Sequence, residues 1–282
     1  MPRAQESGGV LTLVASPIGN DLDLSPRARR EIEEADLIAA EDTRRFWDLC
    51  RREGLSPRGR VISYYDQVEK DKAGKIAEEV LAGARAVLIS DAGTPVINDP
   101  GYVVVNEAAK RGARVTACPG PCAAILALIL SGFRADRFCY EGFIPRKEGE
   151  RKREFERLRG EERTSIYYES ARRLEESLKD MRDALGPGRR ICIARELTKE
   201  HEEVLRLSLG EACGLKGIMG EVALVVEGRP PRKGRAADFV QEAEKAACGG
   251  ERLKDAVKEI ARREGIPSRE LYEKVQESRR GK

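Results

Sequence analysis

Residues 85–102, RAVLISDAGTPVINDPGY, pass from a short apolar run through a Gly/Pro-rich loop to an Asp-Pro pair. The run Arg85 to Ser90, ended by Asp91 and Gly93, reads as a buried strand feeding a loop. Asp99-Pro100 reads as a helix start, with Asp99 as cap, leading a helix from Tyr102 to Arg111. Upstream, Val10 to Ala15 (VLTLVA) is another apolar run, closed by Pro17 and Gly19, and Ser25-Pro26 opens a helix through about Ala35. Leu37 to Ala40 and Ala113 to Ala117 are further short strands, with a helical segment from Lys72 to Leu81. Short apolar strands separated by helices indicate a parallel sheet covered on both faces.

This rhythm breaks between Phe133 and Lys147, which places a domain boundary there. Beyond it lie strands at Ser165 to Tyr168, Arg190 to Ala194 and Val222 to Val226, and a helix from Ala171 to Leu185 ended by Gly186-Pro187-Gly188. GRPPRKGR then reads as a linker, and Asp238 to Gln276 as two or three short charged helices, the last starting near Pro267-Ser268. The expected fold class is α/β: one domain over 1–132, a second over 133–230, and a small helical tail over 231–282.

Composition narrows the function. The chain has 282 residues, 52 Lys+Arg against 49 Asp+Glu, and a mean hydropathy of −0.51. A net charge of +3 produces no global pull on polyanions, so any nucleic-acid contact has to come from local patches. His201 is the only histidine and the seven cysteines contain no C-x-x-C pair, which argues against a metal site and for a reducing compartment. MPRAQESGG shows no apolar signal region, and the longest apolar stretch, Cys122 to Leu130, is too short to cross a bilayer. The expectation is a cytoplasmic protein with no membrane partner.

Three strand-to-loop junctions carry the candidate chemistry: SPIGN (16–20), ISDAGTPVINDPGY (89–102) and CPGPCAAILAL (118–128). Ligands of open α/β sheets bind at such carboxyl ends of strands. Taken singly, Gly19, Gly93 and Gly120 need only supply turns, and Asp91 an Asx turn. Together the three loops point to one shared pocket. No P-loop and no G-x-G-x-x-G follows a strand, so the pocket suits a ligand with a flat apolar part, hydroxyls or an amine, and no phosphates.

The strings LVASPIGN, DLIAAEDTRR, LISDAGTPVINDPGY, CPGPCAA, EGFIPRK, YYESARRL, ARELTKEHEE and GEVALVVEG, in this order, closely resemble the ribosomal RNA branch of the tetrapyrrole methylase superfamily. The resemblance runs from about Val10 to Gly228 and more loosely through the tail. It implies two α/β domains with S-adenosyl-L-methionine in the cleft between them, usually in a homodimer. It also implies methylation of the ribose 2′-hydroxyl of a cytidine in the decoding region of small-subunit (16S) rRNA, free or in the assembled subunit. Cofactor contacts carried over from the motifs fall on Pro17, Asp91, Ala92, Gly93, Thr94, Cys122 and Ala123, with Tyr168 and Arg195 from the second domain.

A ribose hydroxyl is a weak acid, so a carboxylate or a stabilising cation is needed. The catalytic candidates are Glu41, Asp42 and Arg44 of EDTRR, which serve equally well as a structural ion-pair network. His201 reads as structural or substrate-orienting rather than catalytic. RNA contacts are expected from Asn20, Arg44, Arg146 and Lys147, with further basic stretches at Arg151 to Arg153, Arg229 to Arg235, and Arg279, Arg280 and Lys282. Two other readings share the fold: a methylase of a tetrapyrrole or modified protein side chain, and a noncatalytic RNA-binding ribosome-assembly factor. The EDTR and SPIGN pair favours RNA.

Overall fold

The computed structural model describes residues 8–229, 235–249, 251–264 and 266–280. Most of the GRPPRKGR stretch and Lys282 therefore lie outside the described residues. One compact unit spans Met1–Glu227 and a second spans Gly228–Lys282.

In the first unit, β1 (Val10–Val14), β2 (Leu37–Ala40), β3 (Arg60–Ser63), β4 (Arg85–Ile89) and β5 (Arg114–Cys118) form an all-parallel sheet in the order β3-β2-β4-β1-β5. Successive strand residues alternate between two cores. Val14, Ile38, Val87 and Ile89 pack on α1 (Pro26–Glu34) and α2 (Thr43–Glu53), while Leu11, Leu37, Ala39 and Leu88 pack on α3 (Asp66–Leu81) and α4 (Tyr102–Lys110). Both faces are covered, as continuous apolar strands require.

A second sheet follows: β6 (Phe138–Phe143), β7 (Thr164–Ser170), β8 (Arg190–Arg195), β9 (Glu203–Ser208) and β10 (Glu221–Val226), ordered β6-β7-β10-β8-β9. It is mixed. Only β6 and β7 run parallel, and the other pairs are antiparallel. Val222, Leu224 and Val226 of β10 face α6 (Glu148–Leu158), α7 (Ala171–Leu185) and the one-turn α8 (Leu209–Ala212), whereas Ala223 and Val225 face α5 (Ala123–Ser131). Helix α5 follows β5 in sequence yet packs its Ala124, Ala127 and Leu128 against the second sheet. The crossover between sheets thus comes before Ala123, about ten residues ahead of the break expected from the sequence at Phe133.

Other departures have local causes. Asp99 does not cap α4. The cap position is Gly101, at φ +141°, and the N–H groups of Gly101 and Val103 both donate to Glu69 Oε1 (2.7 and 3.0 Å), a carboxylate brought from α3 to the helix start. Helix α6 was hidden because one of its inward positions is charged. Arg151, Phe155 and Leu158 point into the core, and Arg151 is 1% exposed, bonded to Asp180 Oδ2 (2.7 Å) and Glu176 Oε1 (2.6 Å). That burial removes Arg151 from the basic RNA-facing stretch. Strands β3 and β9 sit at sheet edges, where half-exposed residues mask the apolar pattern.

The second unit holds α9 (Val240–Cys248), α10 (Leu253–Glu264) and α11 (Ser268–Arg280) around their own core of Ala243, Val257, Ile260, Leu271 and Val275. Among the described residues no helix is long and apolar enough to cross a membrane.

Removing a buried cation strands its carboxylate partners. Arg151→Ala is expected to destabilise the first unit by about 3 kcal/mol, whereas Arg153→Ala, on the exposed side of α6, leaves the urea midpoint near that of the unaltered protein.

Candidate active site

At the carboxyl ends of β1, β4 and β5 three loops are bound together. Ser16 and Gly93 exchange backbone bonds (Ser16 N to Gly93 O 2.9 Å, Gly93 N to Ser16 O 3.0 Å). Ser16 Oγ donates to Ser90 O (2.9 Å), Ser90 Oγ donates to Gly93 O (3.1 Å), and Thr94 Oγ1 donates to Pro121 O (2.8 Å). Gly93 holds φ +87°, and a Cβ there would also meet Ile18 Cγ2 at 3.3 Å. Gly120 has a different reason: a Cβ would meet Ala15 Cβ at 2.8 Å, so it permits close approach of loops rather than a special turn. Val96 (φ 77°) and Asn98 (φ 66°) are non-glycine residues in the left-handed region, and Glu196 (49°) and Thr198 (65°) repeat this after β8. Backbone strain of this kind collects at functional sites.

These loops and the second sheet enclose a cleft of about 400 Å³, within the usual range for small-molecule sites. Of the residues the motifs marked, Ala92, Thr94, Cys122 and Ala123 line it from one side and Tyr168 from the other. The structure adds Asp99, Phe143, Glu169 and Glu221 to the lining, which contains no Lys or Arg. Tyr168 packs edge-to-face on Tyr140 (centroids 5.3 Å) and Phe143 (5.6 Å), and Tyr140 Oη is buried without a hydrogen-bond partner. A bulge between Tyr140 and Gly142 presses β6 towards the loop: a Cβ on Gly142 would meet Asn98 Oδ1 at 3.4 Å.

Pro17 and Asp91 lie instead in an adjoining polar pocket of about 210 Å³, with Glu41, Asp42, Arg45 and Arg52. Glu41 and Asp91 clasp two strand ends: Asp91 N donates to Glu41 Oε2 and Asp42 N donates to Asp91 Oδ1, both at 3.0 Å. Asp91 thus holds a neighbouring loop and not its own. Burial raises the pKa of both Glu41 and Asp91. Asp99 is pushed up to about 7, by burial first and by the Glu41 charge second, with Asp91 and Asp66 adding to it. Asp42 behaves oppositely. Its bonds from Arg44 (Nη2 to Oδ2 2.7 Å) hold it at about 2, so it stays ionised and serves as the cap of α2.

The remaining candidates are dispersed. Arg44 is 88% exposed and occupied by Asp42. Asn20 caps a single 3-10 turn, accepting from Leu22 N. Arg146 and Lys147 are exposed just before α6, with Lys147 paired to Glu150. Arg195 turns to Glu203 Oε2 (2.7 Å) and to Met219 O, outside the cleft lining. His201 lies exposed in a turn between β8 and β9. Sequence reasoning missed Asp99 because Asp-Pro before a helix is a cap signature. Its only other sign was a second acid in a loop already carrying Asp91.

Comparison with known proteins settles the class. The first unit shares its fold with a diphthine synthase (TM-score 0.58, 14% identity, 77% of this chain and 90% of that one). It also aligns with the uroporphyrin-III C-methyltransferase of Thermus thermophilus complexed with S-adenosylhomocysteine (TM-score 0.50, 18% identity, 77% and 97%). These are α/β methylases. The model of the Tetrapyrrole (Corrin/Porphyrin) Methylases matches residues 10–213. The chain is 42% identical over 277 residues, 97% of each chain, to ribosomal RNA small subunit methyltransferase I of Mycobacterium tuberculosis strain H37Rv. It is 42% identical over 230 residues, 80% of each chain, to that of Escherichia coli O157:H7. The chain belongs to the tetrapyrrole methylases, in their ribosomal RNA small subunit methyltransferase I group.

Because Gly93 is needed in a conformation that L side chains avoid, Gly93→Ala is expected to cost about 1–2 kcal/mol, read as a lowered denaturant midpoint.

Proposed function

We propose that this protein transfers a methyl group from S-adenosyl-L-methionine to small-subunit rRNA, at the ribose 2′-hydroxyl of a cytidine in the decoding region. The observation that carries the reading is identity at 42% over 97% of the chain with a relative named for this RNA, joined to a cleft at the strand ends whose lining has no Lys or Arg. The resemblance adds two α/β domains sharing that cleft, a homodimer, a cytoplasmic setting, and rRNA met either free or in the assembled subunit.

The cleft fits the cofactor. Its lining has acidic and aromatic side chains and no cation, which suits a ligand bearing positive charge and disfavours phosphates. The buried, unpartnered Tyr140 Oη adds a polar atom beside that aromatic wall. S-adenosylmethionine supplies a methyl group already activated on a sulfonium, so the protein's share is positioning and proton removal. Ala92, Thr94, Cys122, Ala123 and Tyr168 would hold it, with Phe143 and Tyr168 as its aromatic wall.

Asp99 is the proton acceptor in this reading. Its carboxylate takes the proton of the ribose 2′-hydroxyl as the methyl is transferred, and a pKa near 7 places it where a general base works best at neutral pH. Asp42, held ionised at about 2 by Arg44, is too weak a base. Glu41 and Asp91 act through Asp99, since their charges help to keep its proton.

The base form of Asp99 is the ionised one, so the methylation rate should rise with pH and level off above about 7. Asp99→Asn should lower the single-turnover rate by about 10²–10⁴ and abolish that inflection. Stability moves the other way. The raised carboxyl favours the folded state fully below its unfolded pKa of 3.8, and this contribution is lost as pH rises through about 7. Asn at position 99 should therefore gain stability relative to Asp with rising pH, up to a plateau above 7. The assay is label transfer from methyl-labelled cofactor to undermethylated small subunits or free rRNA, followed by mapping of the nucleotide. Label on a base, or none on RNA, overturns the reading.

A further inference from the structure

We infer that the three-helix unit after Glu227 is the docking module for rRNA, gripping its phosphate backbone through the exposed basic face of α10 and the end of α11. The inference rests on the functional reading above and adds to it the surface that the RNA meets.

Charge is the first observation. Residues 1–227 carry 37 basic against 39 acidic side chains, whereas residues 228–282 carry 15 against 10. The whole positive excess of the chain therefore resides in the last fifth of its length. In the first unit, three of the candidate cations are neutralised where they stand, Arg44 by Asp42, Lys147 by Glu150, and Arg151 by Asp180 and Glu176, while the exposed Arg146 makes no ion pair among the described residues. Paired charges of this kind offer little net field to a polyanion.

Placement is the second. On α10, Lys254, Lys258 and Arg262 recur at intervals of four and are exposed, so they form one stripe along the helix. Val257, Ile260 and Ala261 take the opposite side into the core. Lys254 and Lys258 make no ion pair among the described residues, while Arg262 is paired with Glu259. Arg279 and Arg280 end α11, both exposed. None of these side chains is needed for the core of Ala243, Leu271 and Val275.

Distribution is the third. The family model ends at residue 213. The diphthine synthase and the uroporphyrin-III C-methyltransferase use 90% and 97% of their own length in covering 77% of this chain, so about a quarter of it has no counterpart in them. The mycobacterial relative named for ribosomal RNA aligns over 97% of both chains, tail included. The basic unit lies beyond the family model and is aligned in the mycobacterial relative, whereas the Escherichia coli relative of the same name aligns over 80% of each chain.

The test uses the full-length protein with Lys254→Gln, Lys258→Gln and Arg280→Gln together, beside a Lys254→Arg, Lys258→Arg variant. Methyl-transfer kinetics and binding to undermethylated small-subunit rRNA are followed over a series of salt concentrations, with calorimetric titration of S-adenosylmethionine. The glutamine variant is expected to raise KM for RNA about tenfold and to flatten the dependence of log K on log salt by about 0.7–0.9 per lost phosphate contact. Its kcat and cofactor affinity should stay unchanged, and the arginine variant should keep the affinity for RNA. If the unaltered chain methylates rRNA and the glutamine variant matches it in KM and salt slope, the docking inference falls and the functional reading stands. A loss of cofactor affinity in step with that for RNA also overturns the inference. If the unaltered chain methylates no RNA, both readings fall.

Discussion

The hydrogen bonds that tie Ser16 to Ser90 and Gly93, and Thr94 to Pro121, are the constraint on which the site depends. Three loops leave adjacent parallel strands with backbone groups that need partners once water is excluded. Bonding to each other satisfies those groups and fixes loop positions together. The small residues follow from this closeness: Gly93 because its backbone is left-handed, Gly120 because Ala15 lies against it. With the loops held, Ala92 and Thr94 face the cleft while Asp91 of the same segment faces the polar pocket.

Helix α5 makes the cleft a property of both sheets. It leaves the third loop at Cys122 and buries Ala124, Ala127 and Leu128 under β8 and β10, so the loop end and the second sheet share one apolar core. Tyr168 of β7 and the bulged strand β6 then close the opposite wall. The cost of this arrangement is visible in the left-handed Val96, Asn98, Glu196 and Thr198. Strain persists where surrounding packing over-determines the backbone.

Charge is organised by environment more than by number. Glu41, Asp91 and Asp99 are gathered with Arg45 paired to Asp91 at 3.4 Å, yet desolvation leaves all three retaining protons more readily than isolated acids, whereas Asp42, one residue from Glu41, is pinned ionised by Arg44. Two neighbouring carboxylates in one motif thus have opposite acid-base character, because desolvation and a neighbouring acid dominate at one and a guanidinium at the other. Arg151 makes the same point for cations: within a run of basic residues it is the one turned inward, held by Asp180 and Glu176.

What the sequence determined by itself was local and periodic. Apolar runs such as VLTLVA and RAVLIS specified buried parallel strands, Ser25-Pro26 a helix start, and Gly186 the end of α7, because each rests on backbone propensity and nearest neighbours. The ordered motifs also marked Ala92, Thr94, Cys122, Ala123 and Tyr168, which the fold brings to one cleft. Only the tertiary structure decided which acid is buried, which sheet α5 covers, and that Glu69, from a helix more than thirty residues upstream, caps α4 in place of Asp99. Those outcomes depend on contacts between segments distant in sequence and on the low dielectric created when they pack, and neither is encoded in any single stretch of residues.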